Sequence, residues 1–241
     1  MPLEWSNSRI TKIEPINQNV RRFWFEMDGL QRFDFKPGQF VTLDLPIGVK
    51  PIDRWRSYSI ASHPDGSNLI ELVIVLLDGG KGTTFLFDQA GVGTEIPFRG
   101  PLGKFTLSED PGGETCMICT GTGIAPFRSM LNDLLEHPRN HAPIHLIFGS
   151  RLMEDILYYD EMRELARKLP DFKYYVTLSR EKSETWDGYK GYVHDIYEKL
   201  FEDKRPAHFY LCGWKVMIDE ARERLLKMGY DRKQVHMEIY G

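Results

Sequence analysis

Residues Met117 to Leu131 read Met-Ile-Cys-Thr-Gly-Thr-Gly-Ile-Ala-Pro-Phe-Arg-Ser-Met-Leu, an apolar run that breaks at two glycines and resumes at helical spacing. A strand that turns on glycine into a helix leaves the first backbone N–H groups of that helix unpaired. Together with the helix dipole they attract a phosphate. Gly121 and Gly123 admit positive φ and let an anion approach the main chain. Pro126 falls in the first helical turn, where a missing N–H matters little. Thr120, Gly121, Thr122, Gly123 and Pro126 are therefore candidate nucleotide-binding residues, although a glycine pair alone also fits an ordinary tight turn. The third glycine of the dehydrogenase fingerprint is absent, with Pro126 in its place.

The pattern after this stretch is strand, helix, strand. Strands are expected at Thr115–Cys119, Ile144–Ser150, Lys173–Leu178, Ala207–Cys212 and Val235–Tyr240, and helices at Pro126–Glu136, Tyr159–Lys168, Val193–Leu200 and Val216–Lys227. Such alternation predicts a Rossmann-like, five-stranded parallel sheet flanked by helices. In a doubly wound order its first and fourth strands are neighbours, which brings the glycine turn beside Cys212-Gly213.

Before this stretch the rhythm differs. Val20–Met27, a strand entered at Phe40, Arg56–Ala61, Leu69–Leu77 and Thr94–Arg99 are short apolar-alternating runs bounded by Gly, Pro or Asp, with one short helix at Thr83–Ala90. They predict a small antiparallel Greek-key β-barrel. The expected division is a barrel domain over residues 1–109 and a nucleotide domain over 115–241, with a hinge at Asp110-Pro111-Gly112-Gly113. Within the barrel, Arg56-Ser57-Tyr58-Ser59 puts a cation and an aromatic ring on one side of a strand and two hydroxyls on the other. Gly79-Gly80-Lys81-Gly82-Thr83-Thr84 sets three glycines before a helix start, a second possible anion cradle.

Taken in order, these motifs resemble the ferredoxin–NADP reductase superfamily, including its cytochrome-b5 reductase branch, from about Gly38 to Tyr240. The resemblance implies FAD in the barrel and NADPH or NADH in the second domain. Arg56 would pair with the flavin diphosphate, Tyr58 stack on the isoalloxazine, and Ser59 bond near its reactive nitrogen. Gly80, Lys81, Gly82, Thr83 and Thr84 would form the companion phosphate segment. Cys212 and Gly213 would contact the nicotinamide, and Ser150 and Arg151 the adenine end. Ser179 and Arg180 resemble a pair that binds the 2′-phosphate, which favours NADPH. Glu238 and the terminal aromatic Tyr240 take the places of the residues that assist exchange and cover the flavin. Ser59, Cys212, Glu238 and Tyr240 are thus the catalytic candidates. Electrons would leave singly to a separate acceptor: ferredoxin, flavodoxin or an iron–sulfur oxygenase component. A free-standing flavin, ferric or cytochrome reductase is the alternative, and a flavin-binding regulatory subunit without turnover a more distant one.

Composition narrows the setting. A net charge of -4 gives no basic field for nucleic acid. No run is long and apolar enough to span a bilayer, and Met1-Pro2-Leu3-Glu4 lacks a leader's charged and apolar regions. Three cysteines are too few for a disulfide framework or a four-thiolate iron–sulfur centre and suit a reducing compartment, so a cytoplasmic protein without a metal is expected. A monomer is also expected, although no sequence feature fixes the oligomeric state. Cys116 and Cys119 read as core thiols on opposite strand faces.

Overall fold

The computed structural model describes residues 4–108 and 112–240. Met1–Leu3, the Asp110-Pro111 half of the expected hinge, and Gly241 lie outside the described residues. Contacts divide the chain into two units: Met1–Thr106 with Ala125–Asp133, and Leu107–Ile124 with Leu134–Gly241.

The first unit is built on β1 (Ser6–Pro15), β2 (Val20–Met27), β3 (Phe40–Asp44), α1 (Pro51–Arg54), β4 (Trp55–Ser59), β5 (Leu69–Val75), α2 (Lys81–Asp88) and β6 (Glu95–Leu102). Its strands pair antiparallel in the order β4-β3-β6-β1-β2-β5, and an Ile60–Leu72 bridge links the two edges. The non-sequential β3–β6 and β6–β1 neighbours make this the expected Greek-key barrel. Alternation drives closure: Phe23, Phe25, Val41, Leu43, Ile70 and Leu72 face one buried cluster, and α2 adds Leu86.

Glu71 interrupts the most apolar strand, and the fold explains how. Its carboxylate is 3% exposed and accepts from Arg22 Nε at 2.7 Å and from Arg128 at 3.1 Å. Arg128 also donates to the Ala61 carbonyl at 2.8 Å, and Ser129 Oγ to the Ser62 carbonyl at 2.6 Å. Two guanidinium groups thus compensate one buried charge.

The second sheet runs β10-β9-β8-β7-β11-β12, all parallel, from β7 (Glu114–Thr120), β8 (Ile144–Ser150), β9 (Phe172–Leu178), β10 (Tyr189–Lys190), β11 (Ala207–Trp214) and β12 (Val235–Tyr240). The five expected strands are present, and Tyr189–Lys190 adds a sixth, too short to read as a strand in sequence. The helices are α3 (Ala125–Glu136), α4 (Tyr159–Lys168), α5 (Val193–Leu200) and α6 (Lys215–Lys227). One sheet face, with Cys116, Ile118, Phe209 and Leu211, packs on Ile196 and Tyr197 of α5 and on Ile218, Ala221 and Leu225 of α6. As expected, β7 and β11 are neighbours, so the strand order reverses between them.

Candidate functional site

In the barrel, β4 presents Arg56 and Tyr58 opposite the core residues Leu43 and Val41 of β3. The Arg56 guanidinium makes one protein hydrogen bond, NH1 to the Trp55 carbonyl at 2.8 Å, and has no ion-pair partner among the described residues. Its stem packs closely on α2: a Cβ on Gly82 would lie 3.0 Å from Arg56 Cγ and 3.3 Å from Nε. A cation without an ion-pair partner thus sits against the start of a helix, an arrangement whose charge and free N–H groups suit an anion. Burial pushes the Tyr58 phenol above its ordinary range, with the Arg56 charge opposing in part, so the ring stays neutral. Ser59 is buried at the end of the strand.

α2 starts at Lys81, earlier than the helix expected from Thr83, so Lys81 and Gly82 belong to its first turn. No side chain caps this end. Thr83 is engaged within the turn: its hydroxyl donates to the Gly80 carbonyl at 3.0 Å and accepts from Leu77 N at 3.1 Å. Thr84 N donates to the Gly80 carbonyl at 2.9 Å. The hydroxyl ties the turn that precedes the helix, and no side chain caps the helix's first N–H groups. The residues present therefore fit a flavin diphosphate.

In the second unit, the chain leaves β7 through a 3-10 turn, Gly121–Ile124, before α3, in which Pro126 is the second residue. This turn meets the end of β11. A Cβ on Gly123 would fall 2.4 Å from the Cys212 carbonyl oxygen, and one on Gly213 would fall 2.7 Å from Thr120 Oγ1. Gly121 and Gly213 also have φ of +53° and +131°, which side chains disfavour. Thr120, Gly121, Gly123, Cys212 and Gly213 are therefore brought together, with Trp214 N donating to Thr120 Oγ1 at 3.4 Å. Thr122 lies in the same turn.

Cys212 stands in register with Glu238 on β12 and with Cys119 on β7. Burial first, then the Glu238 charge, pushes the Cys212 thiol well up, while a hydrogen bond with Tyr240 opposes this. A thiol so held is protonated at neutral pH and is no nucleophile. Cys212, Glu238 and Tyr240 thus form one cluster. Cys116 and Cys119 are buried free thiols, Cys116 in the helix-covered core.

Ser150 and Ser179 meet at the ends of β8 and β9: Ser179 N and Oγ donate to the Ser150 carbonyl at 3.0 and 3.3 Å. Arg151 and Arg180 follow them, both exposed. Two features escaped the sequence reading. Trp214 is 54% exposed beside the glycine turn, its Nε1 at 4.0 Å from a Cβ placed on Gly121. Its position next to Cys212-Gly213 was the available signal. Glu181 instead bonds its own loop, which only coordinates reveal.

An antiparallel barrel with an arginine beside an uncapped helix start, followed by a parallel sheet with a glycine-lined switch point, is the arrangement of a flavin- and pyridine-nucleotide-dependent oxidoreductase. Residues 7–107 match the oxidoreductase FAD-binding domain family and residues 117–223 the oxidoreductase NAD-binding domain family. The chain is 36% identical over 242 residues to ferredoxin–NADP reductase B of Sorangium cellulosum, covering 97% of this chain and 96% of that protein. It is 30% identical over 245 residues to the glycine betaine monooxygenase reductase subunit of Pseudomonas aeruginosa, covering 98% of this chain but 66% of that protein. The crystal structure of an Amycolatopsis cytochrome P450 reductase superposes with a TM-score of 0.86 at 26% identity, over 99% of this chain and 70% of that one. The chain belongs to the ferredoxin–NADP reductase superfamily and is an FAD- and NAD(P)-binding electron-transfer enzyme.

Among the described residues no helix is long and apolar enough to cross a membrane, and no group of three or more His, Cys, Asp or Glu is placed to hold a metal.

Proposed function

We propose that this chain takes hydride from NADPH and delivers electrons singly to a separate ferredoxin-like protein, as a cytoplasmic monomer. The observation that carries the acceptor class is the 36% identity to a ferredoxin–NADP reductase over 97% of this chain, above the 30% identity to an oxygenase reductase subunit. The three cysteines, all buried free thiols, suit an enzyme whose iron–sulfur partner is a different molecule.

In this reading the functional boundary falls between residues 109 and 115. Arg56 and the first turn of α2, shaped by Gly80, Lys81, Gly82, Thr83 and Thr84, hold the FAD diphosphate. Tyr58 lays a neutral ring against the isoalloxazine, and Ser59 donates a hydrogen bond at its reactive edge. Thr120, Gly121, Thr122, Gly123 and Pro126 seat the nicotinamide coenzyme's pyrophosphate, with Ser150, Arg151, Ser179 and Arg180 at its adenosine. Cys212 and Gly213 give the nicotinamide a flat, uncharged floor. Glu238, in register with Cys212, assists proton or electron exchange, and Tyr240 excludes water until the coenzyme arrives. Bound flavin supplies what no side chain can, accepting two electrons as hydride and returning them one at a time.

Anaerobic titration of the FAD-loaded protein with NADPH and NADH, followed by visible absorbance, tests this. Bleaching by NADPH at far lower concentration, and ferredoxin-dependent cytochrome c reduction, are expected. A protein that cannot be loaded with FAD sinks the proposal. Equal turnover without ferredoxin sinks its acceptor.

A further inference from the structure

The ends of β8 and β9 do not simply diverge into loops. Beyond the last registered pair, Ser150 and Leu178, the strands stay tied: Ser179 N donates to the Ser150 carbonyl and Arg180 N to the Arg151 carbonyl, both at 3.0 Å. One side chain adds a further tie. Glu181 Oε2 accepts from Met153 N at 3.0 Å, and its Oε1 accepts from Ser183 N at 2.8 Å. These backbone bonds hold the Glu181 carboxyl below its ordinary range, so it stays ionised. Both carboxylate oxygens therefore serve the loop backbone.

This matters because an acidic residue here has two opposite readings. A carboxylate on a ribose diol selects NADH, and the same charge repels a 2′-phosphate. Glu181 is turned to the backbone instead, and the exposed cations at this end include Arg151, Arg180, Lys182 and Lys190. Neither Arg151 nor Arg180 has an ion-pair partner among the described residues. Two unpaired guanidinium groups on tied strand ends suit a doubly charged phosphate and have no counterpart on a diol.

The geometry points to Glu181 as a positioning residue for coenzyme choice: by tying Met153 to Ser183 it fixes the Arg151 and Arg180 segments around the ribose 2′-position, so that the site selects a 2′-phosphorylated adenosine. The inference rests on the NADPH reading above and adds the residue that enforces it.

The test uses FAD-loaded protein as wild type, Glu181→Ala, Glu181→Gln and Arg180→Ala. Calorimetry reads binding of 2′,5′-ADP against 5′-AMP, and dye reduction reads kcat and KM with NADPH and NADH. Wild type is expected to prefer 2′,5′-ADP, and Arg180→Ala to lose that preference. Losing the two backbone bonds in Glu181→Ala is expected to lower kcat/KM for NADPH about tenfold through KM, with kcat and the NADH values within about twofold. Glu181→Gln keeps one acceptor and falls between. Three results overturn the inference: no preference of wild type for 2′,5′-ADP, a selective loss of NADH efficiency in Glu181→Ala, or an unchanged or increased NADPH preference in that variant. A protein that takes no FAD fails the broader reading but leaves the 2′,5′-ADP comparison readable.

Discussion

In the barrel, the proposed anion seat is made by adding a side chain: Arg56 packs against Gly82 and has no ion-pair partner among the described residues. In the parallel sheet it is made by leaving side chains out, since Cβ atoms on Gly123 and Gly213 would collide with the neighbouring strand end. The same contrast runs through the scaffolds. The barrel tolerates a charge in its most apolar strand because Glu71 has two arginines, whereas the sheet's switch point is glycine backbone and a protonated thiol in register with Glu238. A charge-built site should fail gradually and through the charge. A backbone-built site should fail through volume.

The largest effect is expected in the barrel's buried ion cluster. Glu71→Ala removes the buried anion that Arg22 and Arg128 share, while Arg22 keeps its 3.4 Å contact with Glu14, a loss of about 3–5 kcal/mol. Thermal unfolding should show a large drop in Tm for Glu71→Ala. The isosteric Glu71→Gln should lie between, because the amide keeps an acceptor for one arginine. Equal stability of all three would mean that the cluster does nothing for the barrel.

Next comes Gly123→Ala, which forces a methyl to 2.4 Å from the Cys212 carbonyl oxygen. Overpacking of this kind costs about 1–3 kcal/mol, and the strand ends must separate to relieve it. The 2′,5′-ADP affinity should fall while FAD loading stays normal, which separates the two sites. Arg56→Ala reverses that pattern. Hydrogen bonds to charged groups contribute about 1.5–3 kcal/mol, so FAD should be retained one to two decades more weakly, and 2′,5′-ADP binding should not change. Arg56→Lys should recover only part, since a point charge replaces a planar fork. If both variants lost both ligands, the contrast between the halves would be false.

The same contrast explains what was legible in sequence. Backbone-built features announce themselves as glycine spacing: the turn at Gly121 and Gly123 and its partnership with Cys212-Gly213 follow from motif and strand order alone. Long β/α alternation likewise fixed Ile144–Ser150, Tyr159–Lys168, Val193–Leu200 and Val235–Tyr240 to the residue. Features built from polar side chains were harder to see. β1 reads Ser-Asn-Ser-Arg-Ile-Thr-Lys-Ile-Glu-Pro, in which only Ser8 and Ile10 are buried, so its apolar face is too thin to declare a strand. Glu71 looked like an interruption because its mates are distant in sequence. Thr83 and Glu181 look alike as loop polars until their hydrogen bonds show that each serves its own turn.

The smallest effect concerns the opposite end of the parallel sheet, where charge does enter. Glu114 on β7 accepts from His145 Nε2 and from Arg205 Nε, each at 2.8 Å. Burial holds His145 below its ordinary value, against the pull of Glu114. Burial would raise Glu114, but the bonds from Arg205 and His145 outweigh it and hold the carboxyl down. Both shifts have the same sign of linkage. Below the ordinary histidine value of about 6.5 the unfolded chain takes up a proton that folded His145 resists, so stability falls as pH drops. Below the ordinary glutamate range the same happens at Glu114. His194 and His236 are also held low by burial and act in the same direction. His145→Gln keeps a polar contact with Glu114 and removes one titration. Its Tm should therefore decline less than that of wild type between about pH 7 and 5. A steeper decline in the variant would mean that His145 is protonated in the folded state, and that Glu114 holds an ion pair instead of a neutral imidazole.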